Sequence, residues 1–330
     1  MSDRAEQGGL DGASQESAHA ESPARARSFD LVRFQTALRA AESATSGAGA
    51  GRGRFGRTLV LFDIVASTQE EARALARRGA PDGTVALAEE QSGGRGRWAR
   101  VWRSPRGAGV WATVVLRRSS SPEGPALLTF AGAVALCEAA RALGVGGAEI
   151  KWPNDITARG LKLAGILGEI VPVGGRPIAL LGFGVNLDIR PGDLPREVAE
   201  RATSFRAEGM DLGAGREEVL GAILPRLEAA VRDLDLGRGE QLLERWKFLS
   251  PSSFGRSVRI EEAGAGAGGD EPVLEGITRG VRPDGSLRIE TSSGSEVTVR
   301  YGGTLEVLGP ATLAGPGAAG TGEEPVPRRT

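Results

Sequence analysis

VWATVVL (Val110–Leu116), followed by PALLTFAGAVALCEAARALGV (Pro125–Val145), decides the fold class. The first run is apolar on both faces, so it fits a strand in the middle of a sheet that is covered from both sides. The second is the longest apolar stretch in the chain, but Glu138 and Arg141 interrupt it. It reads as a buried helix, and nowhere does the chain offer the run of about 18 uncharged apolar residues that a bilayer span needs. A central strand with a buried helix beside it makes a mixed α/β domain.

Upstream, TLVLFDIV (Thr58–Val65) reads as a strand, and Ser67 with Glu70 has capping-box spacing at the head of a helix that Gly79 ends. Thr84–Ala88 is a further short strand. Residues 1–27 have no apolar periodicity and are expected to be disordered. Leu31, Phe34, Leu38 and Ala41 then predict a first helix over Asp30–Glu42, and Ser43–Arg54 a flexible linker. Downstream come strands at Glu149–Trp152, Leu161–Val171 and Ile178–Asn186, with a turn at Pro153, Asn154 and Asp155. Val219, Leu220, Ile223, Leu224, Leu227 and Val231 mark one helical stripe, and Glu240–Phe248 a second helix. From Ser257 the pattern changes to five short strands without helices, with Asp284–Gly285 as a hairpin turn. They suggest a small barrel of about 55 residues.

The chain has 330 residues, 41 Lys and Arg against 42 Asp and Glu, one cysteine and one histidine. A net charge of -1 argues against a protein that coats polyanions generally. Cys137 lies in the apolar helix and His19 in the polar tail, so no Cys/His metal cluster, no intrachain disulfide and no Ser–His–Asp machinery can be assembled. With no secretory signal at MSDRAEQGGL, this suits a cytoplasmic protein with no membrane partner.

Four segments could carry chemistry. QSGGRGRWARVWRSPR (Gln91–Arg106) holds five arginines, two tryptophans and no acid. Such a loop repels itself unless an anion completes it, and its glycines would let backbone N–H groups approach phosphate. A solvated basic loop, or an RGG-like contact to nucleic acid, is an equally good reading of the composition. In KWPNDITARGLKLAGILGE (Lys151–Glu169), Lys162 interrupts an apolar strand and either snorkels outward or points at an anion in a cleft. Gly165 and Gly168 thin that strand, a mark of close approach. GFGVN (Gly182–Asn186) ends an apolar strand, and Ser67–Thr68–Gln69 is either a helix cap or a seat for a polar, uncharged group.

Taken together and in this order, these segments resemble the biotin–protein ligases over about residues 28–309. That family shows Ser-Thr-Asn/Gln, Gln-x-x-Gly-Arg-Gly-Arg-x-Gly-Arg-x-Trp, Lys-Trp-Pro-Asn-Asp, Lys-Leu-Ala-Gly-Ile-Leu and Gly-x-Gly-x-Asn. Two positions depart from the pattern: Trp98 stands where Arg or another residue is usual, and Ala99 where Gly is usual, so the loop is expected to pack differently. The resemblance implies an α+β fold with a class II synthetase-like mixed sheet over 28–250, an SH3-like barrel over 251–309, and disordered ends at 1–27 and 310–330. It implies ATP-dependent formation of biotinyl-5′-AMP, with Mg²⁺ accompanying the ATP, then transfer to a lysine of a biotin carboxyl carrier protein domain. A lipoate–protein ligase is the nearest rival enzyme, and a nucleic-acid-binding module the rival of another class.

By the same resemblance, Ser67, Thr68, Gln69 and Gln91 bind the ureido ring, and Arg95, Gly96, Arg97, Lys162 and Gly165 line the rest of the biotin site. Gly94, Arg95, Arg97, Arg100, Trp102, Asn154 and Asn186 border ATP and the adenylate, while no side chain is expected to ligate the metal. Lys162, Arg97 and Asp155 carry the catalysis, with Asp155 orienting or deprotonating the acceptor lysine. Some relatives bear an N-terminal winged helix. Here a tail, one helix and a Gly-rich linker precede Thr58, so a ligase without DNA-binding or repressor function is expected, as monomer or homodimer.

Overall fold

The computed structural model describes residues 28–45, 53–117, 124–190, 192–211, 213–262, 273–300 and 303–310. The expected disordered ends, apart from Pro310, and linker residues 46–52 lie outside them.

In chain order the elements are α1 (Leu31–Thr45), β1 (Leu59–Val65), α2 (Thr68–Arg77), β2 (Thr84–Gln91), β3 (Gly109–Leu116), α3 (Gly124–Ala142), β4 (Ala148–Lys151), β5 (Asp155–Ala158), β6 (Leu161–Val173) and β7 (Arg176–Asn186). There follow α4 (Arg196–Ala199), α5 (Arg216–Asp235), α6 (Gly239–Leu249), β8 (Phe254–Glu262), β9 (Val273–Val281), β10 (Leu287–Glu290), β11 (Glu296–Val299) and β12 (Gly303–Pro310). Strands β1 to β7 form one sheet in the order β1-β2-β3-β7-β6-β5-β4. Only β1 and β2 run parallel, joined by the α2 crossover, and the remaining pairs are antiparallel.

The VWATVVL run is the interior strand its composition demanded, with every residue of β3 buried. Helices α1, α3, α5 and α6 cover one face, and Phe130 stacks on Trp246 with centroids 4.5 Å apart. The other face carries a smaller core in which Ala72, Ala76 and Leu75 of α2 meet Ala86, Val115, Ile178 and Leu180. Because α2 is only 10 residues long, it covers only part of that face. What lies over the remainder becomes the functional site.

Helix α1 is held by the two residues that lead into it. The Phe29 amide donates to Glu89 Oε1 and the Asp30 amide to Glu217 Oε1, each at 2.8 Å, while Phe34 and Leu38 are buried in the main core. Glu89 also pairs with Arg216, and both side chains are under one-tenth exposed.

Three expectations need correction. Asp155 does not belong to the turn: it opens β5, a strand of four residues whose pairing with β4 puts Lys151 opposite Asp155. The Ser67–Glu70 capping box does not form as such. Ser67 Oγ caps the Gln69 amide, whereas Glu70 turns away to pair with Arg95. The five C-terminal strands form an antiparallel sheet in the order β11-β10-β9-β8-β12, and among the described residues β11 and β12 do not pair, so the ring of hydrogen bonds expected of a barrel is left open. This sheet shares its core with the large one: Val258, Ile260, Leu287, Ile289 and Leu305 belong to the same buried cluster as Trp152 and Phe130.

Candidate functional site

The Arg-rich segment is not the slack loop its charge suggested. It folds back on itself as a strap: Gln91 N donates to Ser104 O at 3.2 Å, Trp102 N to Gly94 O at 2.9 Å and Gly96 N to Arg100 O at 2.7 Å. Its charge is offset from outside. Arg95 pairs with Glu70, and Arg106 reaches Asp63 at 2.6 Å and Glu90 at 3.6 Å. The strap turns at residues 97–99, where Trp98 takes the left-handed conformation (φ 59°, ψ 36°). The strained position therefore falls on Trp98 and not on Ala99, at a cost of about 1 kcal/mol for a residue with a Cβ.

Between the strap, α2 and the sheet lies a cavity of about 260 Å³. One end is built of uncharged polar groups. Gln91 Oε1 accepts from the Thr68 amide at 2.8 Å and from Thr68 Oγ1 at 3.1 Å, and Gln91 Nε2 donates to Ser104 Oγ at 2.7 Å, so this one side chain ties the start of α2 to both legs of the strap. Thr68 Oγ1 is also hydrogen-bonded to Thr113 Oγ1 at 2.9 Å. Gln69 Nε2 donates to Leu167 O at 3.1 Å, leaving its buried Oε1 without a partner among the described residues. A buried carbonyl oxygen in that state is costly unless a donor reaches it, and a ligand N–H would do so.

The floor is made of glycines. Gly182 and Gly184 share one face of β7 because strand side chains alternate, while Phe183 between them enters the core. A Cβ on Gly182 would lie 3.3 Å from Gln69 Cδ, and one on Gly184 only 2.5 Å from Trp102 Cε2. Gly165, paired with Gly184 across β6 and β7, would crowd Trp102 Cζ3 at 3.2 Å. The two glycines thus form a pad on which the Trp102 indole rests, its buried Nε1 unpartnered among the described residues.

The other end is charged. Lys162 Nζ pairs with Asp155 Oδ1 at 2.8 Å and sits 5.2 Å from the Trp102 ring centroid, a cation–π contact. A bulge between Ile156 and Thr157 in the β5–β6 pairing lies beside Lys162, a device that re-aims side chains next to sites. Arg97 Nη1 donates to Asn154 Oδ1 at 3.1 Å, and Asn154 Nδ2 to Ile166 O at 2.8 Å. Lys151 also lines the cavity; burial pushes its ammonium below the usual lysine range, Lys162 adds to that shift, and Asp155 opposes it.

The structure therefore brings Ser67, Thr68, Gln69, Gln91, Arg95, Gly96, Arg97, Arg100, Trp102, Asn154, Asp155, Lys162 and Gly165 around one space. Two expected members stand outside its lining. Gly94 is packed into the strap: a Cβ there would meet Trp102 O at 2.4 Å, so strap closure needs a glycine. Asn186 is buried behind the site, where Nδ2 donates to Thr203 O at 3.0 Å and Lys162 O at 3.4 Å. It braces the Lys162 backbone, as do Arg201 O and the Thr203 amide. Thr113, Lys151, Val198 and Leu305 line the cavity and were missed. Thr113 is the one polar residue of VWATVVL and Lys151 the first residue of a quoted motif, so both carried a signal; Val198 and Leu305 arrive from elements far away in sequence.

A mixed sheet bearing a cavity with amides and hydroxyls at one end and ammonium and guanidinium groups at the other is a site suited to a small molecule with a neutral polar end and an anionic end. Residues 61–186 match the family model described as the biotin/lipoate A/B protein ligase family. The chain is 37% identical over 227 residues to the bifunctional ligase/repressor BirA of Bacillus subtilis, covering 64% of this chain and 69% of the relative. It is 32% identical over 265 residues to the biotin–[acetyl-CoA-carboxylase] ligase of Mycobacterium tuberculosis, covering 78% of this chain and 92% of that one. The fold is shared with the biotin protein ligase of Aquifex aeolicus solved with biotin and ATP (TM-score 0.62, 24% identity, 76% of this chain and 99% of that chain). The chain belongs to the biotin–protein ligases of the biotin/lipoate A/B protein ligase family.

Proposed function

We propose that this protein activates biotin with ATP and transfers it to a lysine of a biotin carboxyl carrier protein domain. The observation that carries the reading is that Arg97 and Lys162, far apart in sequence, face the same cavity, whose opposite end is the neutral Thr68–Gln69–Gln91 cluster. A ureido ring offers N–H donors and a carbonyl acceptor, which suit the unpartnered Gln69 Oε1 and the Thr68 and Thr113 hydroxyls. A carboxylate at the other end of the same molecule then comes to lie at Lys162 and Arg97.

In the first step a biotin carboxylate oxygen attacks the α-phosphorus of ATP, the bond to the β-phosphate oxygen breaks, and pyrophosphate leaves. Two anions must approach, so cations preorganised in a partly dry site lower the barrier. Lys162, which lines the cavity, meets the carboxyl–phosphate junction in this reading, and Arg95, Arg97 and Arg100 meet the phosphates. Mg²⁺ bound to the phosphates would neutralise part of their charge. The strap excludes water from the mixed anhydride. In the second step the acceptor amine attacks the acyl carbon, AMP leaves, and the amine proton passes to Asp155, beside Lys162 at the cavity. Asn186 serves through the Lys162 backbone. We further propose that residues 28–250 and 251–309 act as catalytic and SH3-like units.

The test is ATP-dependent incorporation of labelled biotin into a purified carrier domain. Incorporation that needs ATP and releases pyrophosphate and AMP is expected. Lipoate used in place of biotin, or neither, would overturn the reading. Steeply salt-dependent binding of RNA or DNA by the strap, without incorporation, would favour the nucleic-acid alternative.

A further inference from the structure

Lys151 is a cation in the site with no task assigned to it. It ends β4 and lines the cavity, and the β4–β5 register places it opposite Asp155. Asp155 lies on β5, the strand between β4 and β6. Two ammonium groups, Lys151 from one side and Lys162 from the other, therefore flank a single carboxylate. Only Lys162 is paired with it, at 2.8 Å, and no ion pair or hydrogen bond holds the Lys151 ammonium among the described residues.

Lys162 faces a conflict. It cannot hold Asp155 at full strength and also meet the charge at the carboxyl–phosphate junction. If Lys162 turns to the substrate, the Asp155 carboxylate, three-quarters buried, loses its counter-ion. An uncompensated charge in such a place is costly. The charges that act on Lys151 come from Asp155 on β5, Lys162 on β6, Glu306 on β12 and Arg201 in the segment after α4. Of the two acids, Asp155 acts on it more strongly.

We propose that Lys151 is a positioning residue that takes over the Asp155 carboxylate when Lys162 engages the substrate, an exchange of ion-pair partners that frees Lys162 for adenylate formation. The proposal rests on the ligase reading above. Lys151's burial sharpens the effect: a poorly solvated ammonium gains more from a carboxylate than a solvated one does.

The experiment is single-turnover pyrophosphate release from biotin and ATP by the full chain, in a double-substitution cycle. Lys151→Met should slow adenylate formation by roughly tenfold or more, the scale of one partly screened charge interaction, with the biotin Kd changed by less than about twofold. Lys151→Arg should recover most of the rate. In an Asp155→Asn background, Lys151→Met should cost almost nothing, because no carboxylate competes for Lys162, and Lys151→Met/Asp155→Asn should outpace Lys151→Met alone. A Lys151→Met rate equal to that of the unsubstituted protein would overturn the proposal. So would a tenfold cost that persists in the Asp155→Asn background, which is what direct binding of phosphate by Lys151, or a structural role, predicts. That second arm compares two variants lacking the carboxylate, so it reads the proposal even if Lys151→Met alone folds poorly. Absence of any biotin adenylate from the unsubstituted protein would overturn the ligase reading itself.

Discussion

The indole nitrogen of Trp152 donates to the carbonyl oxygen of Gly285 at 2.9 Å, a buried bond between residues 133 apart that joins the Lys-Trp-Pro-Asn-Asp turn to the hairpin between β9 and β10. The C-terminal sheet is thereby attached three residues from Asp155. Trp152→Phe keeps most of the buried ring and removes the donor. Leaving the carbonyl unsatisfied should cost about 1–3 kcal/mol, seen as a Tm lower by roughly 1.5–4 °C in a chain of this size. An unchanged Tm would show that the bond contributes nothing.

Gly184→Ala tests the glycine pad. The new methyl would lie 2.5 Å from Trp102 Cε2, so the indole and the strap it anchors must lift. Biotin affinity measured by calorimetry should fall about tenfold or more, the scale of a misplaced positioning group. Affinity equal to that of the unsubstituted protein would mean that the pad is not part of the biotin site.

The two half-reactions should separate at Lys162 and Asp155. Lys162→Ala should slow adenylate formation by at least about 100-fold, the scale of one preorganised interaction. Asp155→Asn should slow transfer from preformed biotinyl-AMP to the carrier domain. Transfer at the normal rate would remove Asp155 from that step.

The buried Glu89–Arg216 pair should behave asymmetrically. Glu89→Gln removes the charge that neutralises the buried Arg216 guanidinium and should cost about 3–5 kcal/mol in urea denaturation, whereas Glu89→Met with Arg216→Met should cost less than that. A double substitution costlier than the single one would refute this account.

Cys137 should be chemically silent in the folded state. Burial pushes its thiol up to about 12, so almost no thiolate exists at pH 8. A thiol reagent at that pH should label it only in denaturant, and prompt labelling of the native protein would contradict the burial.

How much of this was legible follows from the kind of signal each residue leaves. The central strand and the buried helix were plain because an apolar run covered on both faces has few other uses. The β5 strand was not: DITA has four residues and begins in a turn-forming trio, too short for alternation to register. Glu70 had the spacing of a cap, but the strap's Arg95 competes for it, and a charged partner outbids a backbone amide. The strap's arginines read as mutual repulsion because the offsetting acids, Glu70, Asp63 and Glu90, lie outside the segment. Asn186 looked like a ligand-facing residue of its motif, yet the two carbonyls that claim its amide come from Lys162 and Thr203, neighbours only in space.

The seating of α1 has a practical corollary. Glu89, which receives the Phe29 amide, is two residues from Gln91, where both legs of the strap are tied. Trimming the protein to begin at Arg54 would strip away Phe34 and Leu38, expose the core they cover beside α5, and remove the amide that Glu89 accepts. A shortened version of the protein should therefore retain Phe29 and helix α1, whose contacts end two residues from the root of the strap.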